Sequence, residues 1–200
     1  CREVHVVATG GECKELLVWM DREWDEEYTV HAVELHRDGS RAVFSFRPSE
    51  ERIAGQIGND GSTAEGRWAD NACLFEPGKA LMKAGAYNLI SERFVIRKLG
   101  RSTHYYIYSA EGSCGDGLTG EPVTINKLQE FGKVFRIISC SALDKRSLKA
   151  AGKAYPHSEV TARNISMDTD TLRKKAGVTS GDDAHIFGLK SDSEGALLFI

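Results

Sequence analysis

The chain has 200 residues, a formal net charge of −3 and 41% hydrophobic residues. That is enough apolar mass for a packed core, which excludes a disordered chain. Apolar stretches such as Leu16 to Met20 fall far short of the ~20 residues a membrane span requires, and no basic start followed by an apolar run marks a signal peptide.

Five cysteines, Cys1, Cys13, Cys73, Cys114 and Cys140, have no close pair. Reduced thiols in a cytoplasmic setting are expected, and without C-x-x-C or H-x-x-x-H spacing no metal site is. Val4 to Thr9 is rich in β-branched residues and reads as a short buried strand. Gly10-Gly11 breaks it, and Glu12 to Glu23 then predicts a helix. Leu16, Leu17 and Met20 lie three and four apart, on one helical face. Glu12 and Glu15 stand in its first turn, where negative charge is favoured, and Cys13 sits where amide dipoles favour a thiolate. Val30 to His36 and Arg41 to Phe46 are strand-like, and Asp38-Gly39 between them supplies the positive φ of a tight hairpin.

Pro48 to Gly66 holds Gly55, Gly58, Gly61 and Gly66 and reads as a mobile connection. Pro77 predicts a helix through Ala84, since proline suits a first helical position. Gly85 interrupts it, and Leu89 to Phe94 forms another short helix. Thr103 to Ser109 reads as a strand, and the glycine-rich Glu111 to Glu121 as a surface insertion. The end is clearest. Lys133 to Cys140 is a strand, and Asp144 to Lys153 a helix capped by Asp144. Ser158 to Asn164 follows as a strand, then a helix capped by Asp168 or Asp170 and closed near Ala176 by Gly177. Ala184 to Leu189 and Ala196 to Ile200 complete a βαβαββ layer with two helices on one face of a small sheet.

Little catalytic chemistry is legible. Thr9-Gly10-Gly11-Glu12 follows a strand but lacks G-x-G-x-x-G spacing and puts Glu12 where a phosphate would sit. No G-x-S-x-G elbow occurs. From residue 126 onward the chain carries 12 Lys+Arg against 9 Asp+Glu, a mild excess that permits a polyanionic partner. Arg163, Arg173, Lys174 and Lys175 are the expected phosphate contacts, with Lys145 and Arg146 secondary and Lys149 and Lys153 on the same helix. The same cations equally suit the wet faces of amphipathic helices. Tyr105-Tyr106-Ile107-Tyr108 suits either a stacking platform for bases or core packing.

Three blocks carry a resemblance. V-H-V-V-A-T-G-G-E-C-K-E-L-L (Val4 to Leu17), E-P-G-K-A-L-M-K-A-G-A-Y-N-L-I (Glu76 to Ile90) and L-R-K-K-A-G-V-T-S-G-D-D-A-H-I-F-G-L (Leu172 to Leu189) together resemble the C-terminal part of a class I methyltransferase family best represented in Bacteroidetes. The resemblance implies an α/β plus α+β architecture. Residues 1–54 would be the strand-helix-hairpin edge of a Rossmann-like sheet, 55–71 a linker, 72–125 a ferredoxin-like connecting segment, and 126–200 a THUMP-like domain. It places the glycine-rich cofactor loop and the catalytic motifs upstream of Cys1, in the methyltransferase half. This chain would then bind no S-adenosylmethionine and methylate nothing alone, while the parent protein uses that cofactor. Its expected partner is structured RNA, with no membrane. A protein-interaction or scaffolding domain without nucleic-acid binding is the rival reading.

Overall fold

Two glycines set the first turn of the chain. Gly10 and Gly11 have φ of 60° and 81°, the pair of left-handed residues that a two-residue hairpin loop demands. They fold strand β1 (Glu3–Thr9) back on β2 (Glu12–Trp19), antiparallel from Glu3 opposite Trp19 to Thr9 opposite Glu12. The helix expected over Glu12 to Glu23 therefore does not form. Helix propensity there is a weak local preference, and pairing along the whole of β1 outweighs it.

The computed structural model describes residues 1–57, 71–109 and 123–200. The Glu111 to Glu121 insertion and most of the 55–71 linker lie outside them. The remaining elements are β3 (Thr29–Leu35), β4 (Arg41–Phe46), α1 (Pro48–Ile57), β5 (Cys73–Pro77), α2 (Lys79–Ala84), α3 (Leu89–Phe94), β6 (Arg97–Lys98), β7 (Tyr106–Tyr108), α4 (Ile125–Phe131), β8 (Gly132–Arg136), β9 (Cys140–Ala142), α5 (Lys145–Ala154), β10 (His157–Arg163), α6 (Thr169–Ala176), β11 (Thr179–Ser191) and β12 (Gly195–Phe199). Among the described residues no helix is long and apolar enough to cross a membrane. Cys1 and Cys13 are exposed free thiols, Cys13 on an exposed strand rather than at a helix start.

The elements fall into two units, the first drawn from residues 1–64, 73–97 and 106–135 and the second centred on 98–105 and 136–200. The first contains a mixed sheet of order β2-β1-β3-β4, in which β1 and β3 run parallel and the other pairs antiparallel. The Asp38-Gly39 hairpin forms as expected, with Gly39 at φ 83°. Alternation puts Val6, Ala8, Val30, Ala32, Ala42, Phe44 and Phe46 on one buried face. Phe75, Phe94, Tyr106 and Phe131 pack into the same core, Phe44 meeting Phe94 and Phe131 edge-on. A second sheet has the order β6-β7-β5-β8.

Several boundaries differ from the reading of the sequence. Pro48 starts α1 rather than a mobile connection, using the first helical position that proline tolerates. Pro77 ends β5, so α2 begins two residues later, and Gly85 closes it at φ 84°. The run Lys133 to Cys140 is two strands, because β8 and β9 belong to different sheets. Tyr105, Tyr106, Ile107 and Tyr108 are all buried, which makes them core and removes the stacking platform.

The second unit follows the βαβαββ order from β9 to β12. Its sheet runs β10-β11-β12-β9, parallel only between β10 and β11. Both helices lie over one face, where Leu148, Ala151, Leu172 and Ala176 meet Val160, Ala162, Ile186 and Leu198. The approach of α5 to the end of α6 is so close that a Cβ on Gly152 would collide with the Ala176 carbonyl oxygen. Asp144 and Asp168 accept from the amides of Ser147 and Thr171 as helix caps, and Gly177 ends α6 at φ 76°, as their positions in the sequence lead one to expect.

Candidate nucleic-acid interface

The side-by-side helices of the second unit leave a cleft of about 490 Å³ lined by Leu143, Asp144, Lys145, Leu148, Lys149, Met167 and Lys175. Its chemistry is two-sided. Leu143, Leu148 and Met167 supply an apolar floor, while the exposed Lys145, Lys149 and Lys175 supply a cationic rim. Lys145 and Lys149 are one helical turn apart on α5, so they share a face. Lys175 comes from the last turn of α6.

One acid stands among the three lysines. The Asp144 carboxylate is committed to the cap, and the hydrogen bond from the Ser147 amide holds it below the usual carboxylate range. The local balance stays positive. Because Asp144 occupies the N-terminal turn of α5, lysine ammonium groups rather than free amides are what an anion meets there.

The expected phosphate contacts do not all gather. Lys145 and Lys175 line the cleft. Arg146 and Lys174 are exposed on the same two helices, and Arg163 is exposed at the end of β10. Arg173 is committed elsewhere. Its guanidinium donates to Ser180 Oγ and lies 3.4 Å from Glu159 Oε2, tying α6 to β10 and β11. Lys149 was named in the sequence only as a further cation of the helix that carries Lys145, and Leu143, Leu148 and Met167 were not singled out. The i, i+4 spacing from Lys145 puts Lys149 on the same helical face, whereas Met167 reaches the cleft only through the turn between β10 and α6.

Thr9-Gly10-Gly11-Glu12 is the hairpin loop between β1 and β2, not a strand-to-helix turn. It presents no helix N-terminus to a cofactor phosphate.

Comparison with known proteins gives these features a context. Residues 74–111 match the family model of a ferredoxin-like domain, and residues 132–200 that of a THUMP domain-like family. The chain is also similar to a crystal structure named as a "putative methyltransferase from Porphyromonas gingivalis W83", at a TM-score of 0.73 and 26% identity. That match covers 99% of this chain and 44% of the other, so the chain spans less than half the length of that relative. No curated protein matches it. The chain is thus a mixed α/β protein with a ferredoxin-like and a THUMP-like domain, and its fold is shared with part of the Porphyromonas protein. The cleft lies wholly inside the THUMP-like residues.

Proposed function

We propose that this chain is the substrate-holding C-terminal region of an S-adenosylmethionine-dependent class I methyltransferase that acts on structured RNA, and that it is not catalytic by itself. The observation that carries the RNA reading is the lysine-rimmed cleft within the THUMP-like residues. Its size falls within the ~300–1,000 Å³ range of small-ligand pockets. The apolar floor takes the face of a base or sugar at an RNA end or loop, and Lys145, Lys149 and Lys175 take the adjoining phosphates. Arg146, Lys174 and Arg163 extend the positive surface for the neighbouring nucleotides, while Arg173 acts through the orientation of α6.

A second observation supports the place of the chain in a larger protein. None of the residues of β2 is buried, and Leu16, Leu17, Val18, Trp19 and Met20 are each at least half exposed. Continuous apolar sequence of this kind belongs to a strand covered on both faces. In this reading β2 joins the sheet of the methyltransferase half, for which the longer Porphyromonas relative leaves room. A protein-interaction role without RNA rests on the same strand.

Fluorescence anisotropy with a labelled RNA hairpin separates the two. Combined Lys145→Glu, Lys149→Glu and Lys175→Glu substitutions, all at exposed positions, are expected to weaken binding at least tenfold while leaving the melting temperature nearly unchanged. Equal affinity for both proteins removes the cleft from RNA binding and leaves the protein-interaction reading.

A further inference from the structure

Strand register assembles a group of side chains that the sequence keeps apart. Glu3 and His5 are two residues apart on β1 and therefore share a face. His31 stands opposite His5 in the parallel pairing of β1 with β3, and Ser45 opposite His31 in the pairing of β3 with β4. Glu3 Oε2 lies 3.1 Å from His5 Nε2 and 3.8 Å from His31 Nε2. The two imidazole rings stack with centroids 4.5 Å apart and planes inclined by 23°. One donor atom from each residue falls within 4.8 Å of the other two.

These spacings can be set against what an ion needs. Zinc bonds of ~2.0–2.2 Å in a tetrahedron require ligand atoms about 3.3–3.6 Å apart. The observed 3.1 and 3.8 Å between Glu3 and the two histidines bracket that range, and the stacked imidazoles, whose ligand atoms lie within 4.8 Å of each other, must rotate toward a shared ion. The other Glu3 oxygen faces Arg2 Nε at 3.9 Å, which leaves Oε2 to the histidines. His31 Nδ1 hydrogen bonds with Ser45 Oγ at 2.7 Å. In the tautomer whose Nδ1–H donates to that hydroxyl, Nε2 turns its lone pair toward Glu3. This is the outer-shell support that metal-binding histidines usually have. The side chains of Glu3, His5 and His31 are 26%, 34% and 20% exposed, open enough for an ion to enter.

We propose that Glu3, His5 and His31 form a divalent transition-metal site, with Ser45 fixing the His31 ring and water completing the coordination. Two imidazoles and one carboxylate suit zinc, whereas magnesium and calcium prefer oxygen ligands. The ion joins β1 to β3 directly and to β4 through Ser45.

The test is titration of the 200-residue chain with zinc by calorimetry and with cobalt(II) by visible absorption. Cys1→Ser and Cys13→Ser are carried throughout, because both thiols are exposed and would compete as ligands. The expected result is one equivalent of cobalt with the visible bands of a low-coordinate ion, displaced by zinc. Glu3→Gln, His5→Gln and His31→Gln should each weaken binding at least tenfold, and Ser45→Ala about tenfold. His157→Gln, on the other unit, should change nothing. Thermal unfolding without metal reports whether each variant folds, and Ser45→Ala, at an exposed position, keeps the test decisive where an imidazole variant does not. Absence of binding at micromolar metal, or binding indifferent to Glu3→Gln and Ser45→Ala, overturns the proposal.

Discussion

At the scale of single residues, the chain uses carboxylates to finish helices that lack caps of their own. Helix α2 has Gly78 at its N-cap, which has no side chain to offer, and Glu34 of β3 accepts from the Ala80 amide at 2.9 Å instead. Glu51 of α1 serves α3 in the same way, accepting from the amides of Asn88 and Leu89 at 2.8 and 2.9 Å. Burial pushes the Glu34 carboxyl above its ordinary value of 4.5, against the opposing hydrogen bond from Ala80 and the charge of His36. The folded protein therefore holds this proton more tightly than the unfolded chain. The associated stability is present below the unfolded value and is lost as pH rises through the higher folded one. Glu34→Gln keeps an acceptor for Ala80 without the charge. Its melting temperature relative to the parent should rise as pH climbs from about 4 toward 7. Parallel melting curves across that window would contradict this assignment. None of these remote caps is legible in the sequence, because Glu34 and Ala80 lie 46 positions apart.

The elements divide by what decides them. The Asp38-Gly39 hairpin, the caps Asp144 and Asp168 and the stop at Gly177 are fixed by neighbouring residues, and all are readable from the sequence. Strand β2 has the sequence of a helix, because its leucines fit a helical face and its fate depends on β1. The Gly10-Gly11 pair between two apolar runs was the available signal. Helices α5 and α6 were readable as elements, but their contact was not. Gly152 is the point where α5 passes over the end of α6. Gly152→Ala sets a methyl group against the Ala176 carbonyl and should cost about 1–3 kcal/mol, typical of overpacking. Chemical denaturation measures it directly. A neutral or stabilising result, as helix propensity alone would give, would show that the two helices can part there. The Lys145, Lys149 and Lys175 rim depends on the same contact, so this substitution should also reshape the cleft.

For the whole molecule, the second unit was the more legible. Its βαβαββ order follows from local periodicity, capping and turns. The first unit mixes parallel and antiparallel pairing and binds segments far apart in sequence into one core, Val30 with Phe75 and Phe131 among them. Its three histidine and glutamate ligands were invisible because register, not spacing, unites them. The cleft was half legible: the cations announce themselves, whereas its floor needs Leu143, Leu148 and Met167 folded together. That division matters for function. In the proposed function the apolar β2 pairs with further polypeptide while the lysines meet a polyanion, and only the second can be tested on these residues alone. The most direct test of the account is RNA affinity of the 200-residue chain measured across salt concentration. Neutralising phosphates with the three lysines and with Arg146, Lys174 and Arg163 beside them predicts a linear fall of log affinity with log salt, with a slope of about −4 to −5, made shallower by about 2 to 3 once the three lysines are reversed. An affinity indifferent to salt, or a slope unchanged by the reversal, would contradict it.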